Sequence, residues 1–295
     1  MKYRVRHITE YQYSAPVTLC YNIAHLLPRN TERQRVKSTR ISVSPTPAYQ
    51  RTRVDYFGNS SFYFSVQEPH GSLKIDVISD IEISRNPMVG ALDTSPTCRD
   101  ALVLVNRTGR PEFIDIIEFQ LSSPMIKKSK ALADFGRDLF TPEKPLLRAA
   151  MDLTTKIFEE FTFDPNSTTV ATPLAEVIEN KRGVCQDFAH FGVGVLRSLG
   201  FAARYVSGYI ETLPPPGQER LVGADASHAW VSLFIPELGW VDFDPTNNSM
   251  PDDQNIITAW GRDYSDITPL QGVIFDGGDS QSLNVSVDVE RKSEQ

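Results

Sequence analysis

Between Lys181 and Asn248 the chain carries Cys185, His190, His228, Asp242 and Asp244. A thiol, an imidazole and a carboxylate are what thiol acyl transfer requires: a nucleophile, its base, and a group that orients the base. Gly183-Val184-Cys185-Gln186-Asp187-Phe188-Ala189-His190 reads as the start of a helix running to Leu199, with Gly200 at the C′ position. Phe188, Phe191, Gly192, Val195 and Leu199 form its core-facing stripe. Cys185 then falls in the first turn, where unpaired N–H groups and the helix dipole favour a thiolate and can hold an oxyanion. The competing reading is an inert cysteine packed as a small hydrophobe.

The base must come from His7, His25, His70, His190 or His228. His190 lies five residues after Cys185, about 500° around the helix, so it points away from the sulfur and reads as structural. His228 opens Ser227-His228-Ala229-Trp230-Val231-Ser232-Leu233-Phe234-Ile235, a run whose aromatic and β-branched content suits a strand. Gly239-Trp240-Val241-Asp242-Phe243-Asp244-Pro245-Thr246 reads as a second strand ended by its proline. The intervening Pro236-Glu237-Leu238-Gly239 makes the two a hairpin. A hairpin centred near Pro236 sets Asp244 directly across from His228, with Cβ atoms about 5 Å apart, and Asp242 on the same face one step along. A four-residue loop would turn both aspartates away, so the register decides the matter. Zinc is a rival use for Cys185, His190, His228 and an aspartate. Cys-x4-His on one helix splits the pair between faces, however, and no second cysteine is near. No metal and no cofactor is expected.

These groups need a scaffold, and the rest of the chain supplies its outline. Of 295 residues, 40% are hydrophobic, enough for a sizeable core and against a disordered chain. The apolar runs, such as Ala101-Leu102-Val103-Leu104-Val105, are too short to span a bilayer, and the N-terminus has no signal core. Three cysteines, Cys20, Cys98 and Cys185, make neither a disulfide framework nor a Cys-x-x-Cys site, which points to a reducing, cytoplasmic setting. Short strands are predicted at Lys2–His7, Arg35–Val43, Thr52–Tyr56, Ser61–Val66 and Leu73–Ile83, the pattern of an antiparallel sandwich. Asn86 to Pro111 reads as a connector. Helices are predicted over Ser123–Phe140 and Pro142–Phe161, and a strand over Leu283–Val289. Leu213-Pro214-Pro215-Pro216-Gly217 reads as a surface loop.

The formal charge of -7 conceals an asymmetry. Residues 1–60 hold ten basic against three acidic side chains, a net of +7, which leaves -14 for the remainder. Arg4/Arg6, Arg33/Arg35 and Arg51/Arg53 alternate as wet strand positions do, and no nucleic-acid motif accompanies them. Neither nucleic acid nor a membrane is expected as a partner.

Three blocks in order, Gly-Val-Cys-Gln-Asp-Phe-Ala-His (183–190), Asp-Ala-Ser-His-Ala-Trp (225–230) and Gly-Trp-Val-Asp-Phe-Asp-Pro-Thr-Asn (239–247), resemble the bacterial transglutaminase-like superfamily. Tyr11-Gln12-Tyr13, Leu27-Pro28-Arg29, Asp55-Tyr56-Phe57-Gly58-Asn59 and Pro69-His70 are similar to the β-domain that often precedes such cores. Gly200–Tyr209 and Gly261–Ile267 extend the likeness over nearly the whole chain. The resemblance implies an α+β fold with a papain-like cysteine core, a Cys-bearing helix packed on an antiparallel sheet, preceded by a β-sandwich. It implies a β-rich domain over 1–90 and a catalytic domain over 91–295 that includes the C-terminal strands. It implies Cys185 as nucleophile, His228 as base and Asp244, rather than Asp242, as orienter. The expected substrate is a peptide or protein amide, glutaminyl or other. Hydrolysis by a cysteine protease or amidase is the leading expectation, since water is always present and an acceptor amine needs its own site. Transamidation and a non-catalytic scaffold are the alternatives.

Overall fold

Alternation along the first residues sets the architecture. Tyr3, Val5, His7 and Thr9 are buried while Lys2, Arg4 and Arg6 are exposed, the two-residue period of a strand with one wet face. The computed structural model describes residues 1–106, 114–212 and 227–292. In it strand β1 runs Lys2–Ala24, far beyond the predicted Lys2–His7. Glu10, Gln12 and Ser14 break the apolar pattern there, but neighbours on both edges keep the strand extended. Its first half pairs with β5 (His70–Ile83) and β13 (Gln281–Lys292), and its second half with β4 (Ser60–Val66) and β12 (Leu270–Asp276). The register along β5 slips between Gln12 and Val17, around Pro16, which cannot donate to a ladder.

Strands β2 (Gln34–Ser44) and β3 (Tyr49–Val54) complete a seven-stranded sheet of order β2-β5-β1-β4-β3, with β12 and β13 along β1. Phe62 and Phe64 of β4 and Leu73, Ile75 and Val77 of β5 share one core with Cys20 and Ala24, so the sheet folds over on itself at β1. The ladder carries both C-terminal strands into this sheet, whereas the sequence grouped them with residues 91–295. Side-chain periodicity reports which face is wet and carries no information about which distant strand supplies the partner. On the wet face Arg4 and Arg6 form forked pairs with Asp80 and Asp76 across the β1–β5 ladder.

The second half is helical before it is stranded. Helix α1 (Cys98–Val105) lies within the predicted connector, started by Thr97, whose side chain accepts from the Asp100 N–H. A short turn, α2 (Ile114–Ile117), follows. The helix predicted over Ser123–Phe140 is only α3 (Lys130–Gly136). Ser129 caps it by accepting from Leu132 N–H, and the chain before it is tied elsewhere, Met125 N–H to Asp263 and Lys128 N–H to Ser122. Helix α4 (Leu146–Glu160) begins four residues later than predicted, because Pro145 and not Pro142 stands at its start. Helix α5 (Leu174–Asn180) and the two-residue strands β6 (Thr162–Phe163) and β7 (Arg182–Gly183) lead into α6 (Cys185–Ser198).

Strands β8 (Ala203–Ile210), β9 (Ser227–Ile235), β10 (Gly239–Phe243) and β11 (Asn255–Gly261) form an antiparallel sheet of order β10-β9-β8-β11. One face, with Ala203, Tyr205, Ala229, Val231 and Leu233, joins Phe188, Phe191 and Val195 of α6 in the main core. Gly192 lets helix and sheet meet closely, since a Cβ there would stand 2.8 Å from Val231 Cγ2. Onto the sheet edge at β11 the N-terminal domain clamps with two carboxamides. The Gln34 side chain donates to Ile257 C=O (2.7 Å) and accepts from Ile257 N–H (2.8 Å). Asn59 does the same to Trp260, at 2.8 and 2.9 Å. Each mimics one rung of a strand on that edge, where Ile257 C=O also accepts from Arg29 N–H at 3.2 Å. No helix among the described residues is long and apolar enough to cross a membrane, and the predicted loop Leu213–Gly217 lies outside those residues.

Candidate active site

Three local devices set the start of α6. Strand β7 pairs in parallel with β6 and delivers the chain to Val184. Asp187 then reaches back to accept from Val184 N–H (2.9 Å) and from the Thr168 hydroxyl (2.6 Å), so the buried carboxylate holds the turn closed. Gly183 leaves room for it, since a Cβ there would stand 2.6 Å from Asp187 Oδ2. Cys185 is the first helical residue and is partly buried. At the far end Gly200, at φ +97°, takes the left-handed C′ position read from the sequence.

The β9–β10 hairpin brings the other two groups. Its ladder pairs Ile235 with Gly239, Leu233 with Val241 and Val231 with Phe243, so its loop is the three residues Pro236-Glu237-Leu238. Glu237 and Gly239 take positive φ, +72° and +78°, to close it. The register is therefore two residues off the one expected, and continuing the ladder sets Asp244 level with Trp230 rather than His228. A slip of two preserves the face. The diagonal pair closes through its side chains, His228 Nε2 to Asp244 Oδ2 at 2.7 Å. Cys185 also lies near enough to the His228 ring to raise its pKa. Asp242, two residues earlier on the same face, pairs in the ladder with Ser232.

Asp244 is fully buried and its carboxylate is saturated with donors. Oδ1 accepts from the backbone N–H of Thr246 (2.9 Å) and Asn247 (3.3 Å). Oδ2 accepts from His228 and from Asn247 Nδ2, the latter at 2.7 Å. Asn247 was not among the residues singled out from the sequence, although an Asp followed by Pro-Thr-Asn is an Asx-turn signal that would have found it. The His228 ring is buried, which on its own lowers its pKa. Asp244 and then Cys185 outweigh that and raise it to about 10, so at neutral pH the ring carries a proton between a carboxylate and a sulfur.

His190 belongs to the fold. It is buried, its Nε2 accepts from Tyr264 N–H (3.1 Å), it packs on Tyr205 with ring centres 4.9 Å apart, and burial lowers it to about 4. Cys20 is buried and accepts from Asn22 Nδ2, and burial pushes Cys98 up to about 11. Among the described residues no three His, Cys, Asp or Glu side chains converge as a metal site. Of the thiols only Cys185 has an imidazole and a carboxylate in line with it.

Two family models match the chain: the bacterial transglutaminase-like N-terminal region over residues 3–82, and the transglutaminase-like superfamily over residues 133–245. An uncharacterized protein of Mycobacterium tuberculosis is 39% identical over 292 residues, which is 98% of this chain and 92% of that protein. The chain belongs to the transglutaminase-like superfamily. Within that superfamily it is also similar to a protein-glutamine gamma-glutamyltransferase of Pseudomonas aeruginosa, 30% identical over 133 residues, 42% of this chain and 19% of that one. Its fold matches a candidate cysteine protease from Cytophaga hutchinsonii with a TM-score of 0.74 and 22% identity, covering 100% of this chain and 92% of that one. The transglutaminase-like core therefore spans the helix with Cys185 and the hairpin with His228 and Asp244.

Proposed function

We propose that this protein is a cysteine hydrolase that cleaves a peptide or side-chain amide through Cys185, His228 and Asp244. The observation that carries the reading is the line of contacts from Cys185 at the start of α6, through the His228 ring, to a fully buried Asp244 at 2.7 Å. With Nε2 engaged by Asp244, Nδ1 is the ring nitrogen left for the thiol. In the first half-reaction the Cys185 thiolate, whose proton already sits on His228, attacks the carbonyl carbon of the amide. The developing oxyanion is held by N–H groups of the first turn of α6, which have no intrahelical partner. The amide nitrogen leaves as an amine, or as ammonia from a glutaminyl side chain, taking the proton from His228. In the second half-reaction His228 removes a proton from water, the hydroxide adds to the thioester, and the thiolate departs with a carboxylic acid as product. Asp244 holds the ring in one orientation throughout.

Transamidation is the second reading, and the similarity to the Pseudomonas aeruginosa gamma-glutamyltransferase is the observation that favours it. The two diverge only at the second half-reaction, where an amine replaces water. Incubation of a glutaminyl peptide with and without a primary amine separates them by mass spectrometry. A glutamyl peptide and ammonia without conjugate support hydrolysis, as does backbone cleavage. Conjugate forming at the expense of the acid would replace hydrolysis with transamidation. No thioester, ammonia or product from a range of glutaminyl and backbone amides, with Cys185 alkylated no faster than a free thiol, would remove the enzymatic reading altogether.

A further inference from the structure

The face of the β8–β11 sheet that carries His228 bears a second polar constellation. Across three strands the ladder places Arg204 of β8, Ser232 of β9 and Asp242 of β10 in one row. Arg204 and Asp242 are two strands apart, about 10 Å between Cα positions. Arg204 is 6% exposed, and its guanidinium lies between two indoles, 4.2 Å from the centre of Trp240 and 3.6 Å from that of Trp260. Arg29 covers the same Trp260 at 3.1 Å, so the rings and cations alternate.

Stacking satisfies the faces of a guanidinium and leaves its edge, where all five N–H donors lie. No described residue accepts a hydrogen bond from that edge, and Arg204 Nε is buried without any partner. The nearest compensating charge, Asp242, is 7% exposed and also has no hydrogen-bond partner among the described residues. Both groups line a cavity of about 530 Å³ together with Arg33, Met88, Trp240 and Trp260. That volume is in the range of small-molecule sites, generous for one amino acid and ample for two. A buried cation and a buried carboxylate that line one aromatic-walled cavity, neither hydrogen-bonded by a described residue, call for a ligand with the opposite arrangement of charges.

We propose that this cavity binds a small zwitterion, an amino acid or dipeptide, whose carboxylate takes the Arg204 edge and whose ammonium group faces Asp242. The site is separate from the candidate active site. Ser232 is four residues along β9 from His228, about 13 Å, and the fully buried Trp230 stands between them. The inference therefore does not rest on the reading of Cys185 as a nucleophile.

The test titrates the full chain carrying Cys185→Ala, which prevents turnover, with alanyl-alanine, alanyl-alanine amide and N-acetyl-alanyl-alanine by calorimetry. The free dipeptide should bind, and each capped form should bind roughly ten- to hundred-fold more weakly, the value of one charge-assisted pair. Because the protein is the same in all three titrations, a folding defect cannot mimic the pattern. Arg204→Gln should lose the discrimination against the amide, and Asp242→Asn the discrimination against the acetylated form. Absence of binding by all three at millimolar concentration, or equal binding of all three, would overturn the proposal and leave Arg204 and Asp242 as a hydrated structural pair.

Discussion

Replacing Asp244 by Asn tests the proposed chemistry most directly, because it changes one atom and keeps the shape. His228 is held at about 10 against an ordinary 6.5, a difference on the order of 5 kcal/mol in favour of the protonated ring. Burial opposes that, and of the two groups that overcome it Asp244 ranks ahead of Cys185. Asp244 is thus the main group that keeps the ring protonated. Geometry compounds the loss. The oxygen of the introduced carboxamide would remain with Thr246 and Asn247 N–H, presenting its NH2 to His228 Nε2. The ring must then keep its proton on Nδ1, the nitrogen that has to receive one from the thiol. We expect turnover to fall roughly 10³- to 10⁴-fold, and Cys185 alkylation by iodoacetamide at pH 6 to slow, with the thermal unfolding transition retained. His228→Ala should abolish the pH 6 alkylation entirely. If Asp244→Asn alkylates at the wild-type rate across pH 5 to 10, Asp244 does not act on His228 and the reasoning fails.

Other outcomes follow from groups around the site. His190→Phe removes the acceptor for Tyr264 N–H and should cost about 1–3 kcal/mol in denaturant unfolding while leaving the pH profile of Cys185 alkylation in place. Gln34→Ala strands the Ile257 N–H, while Ile257 C=O keeps its bond from Arg29 N–H, and should destabilise by about 1–3 kcal/mol, measured by chemical denaturation. Gly183→Ala drives a Cβ against Asp187 and should lower turnover together with stability, by about 1–3 kcal/mol, through the start of α6. Stability should also depend on pH in two opposite senses. Burial lowers His7 and His190 to about 4, so between pH 6.5 and 4 the unfolded chain binds protons that the folded one refuses, and each site removes up to about 3 kcal/mol as pH falls. His228 is raised, so its contribution is complete below 6.5 and is lost as pH rises toward 10. A maximum near pH 6.5, falling on both sides, is expected in urea midpoints, and a maximum below pH 5 would contradict it.

What the sequence disclosed divides along a physical line. The start of α6, its stripe and its C′ glycine were legible because a helix is written in local spacing, and Cys185 could be placed on it to the residue. The hairpin was legible only in parity. Whether Pro236 or Glu237 is the centre depends on which residue tolerates positive φ, and Glu237 at +72° is not a residue that announces it. The two-residue error was harmless because side chains repeat every two residues, so His228 and Asp244 stayed on one face. A one-residue error would have separated them. Contacts between distant segments were not legible at all. Nothing local in Leu283–Val289 names β1 as its partner, and nothing in Leu27-Pro28-Arg29 or Asp55–Asn59 says that Arg29 and Asn59 converge on Trp260.

That convergence bears on how the two halves work together. Trp260 is gripped from one side by Arg29 and Asn59 of the β-domain and on the other by Arg204 of the sheet that carries His228. The N-terminal motifs thus act on the sheet through its edge strand, without contributing a group to the Cys185 line. Asn59→Ala should accordingly lower stability through the orphaned Trp260 backbone and weaken dipeptide binding at the Arg204 cavity, because the ring that stacks on Arg204 loses its anchor. Cys185 alkylation at pH 6 should persist in the folded fraction, since Trp230 and the length of β9 lie between. Loss of alkylation in folded Asn59→Ala protein would mean that the β-domain sets the geometry of His228 and that the two sites are not separate.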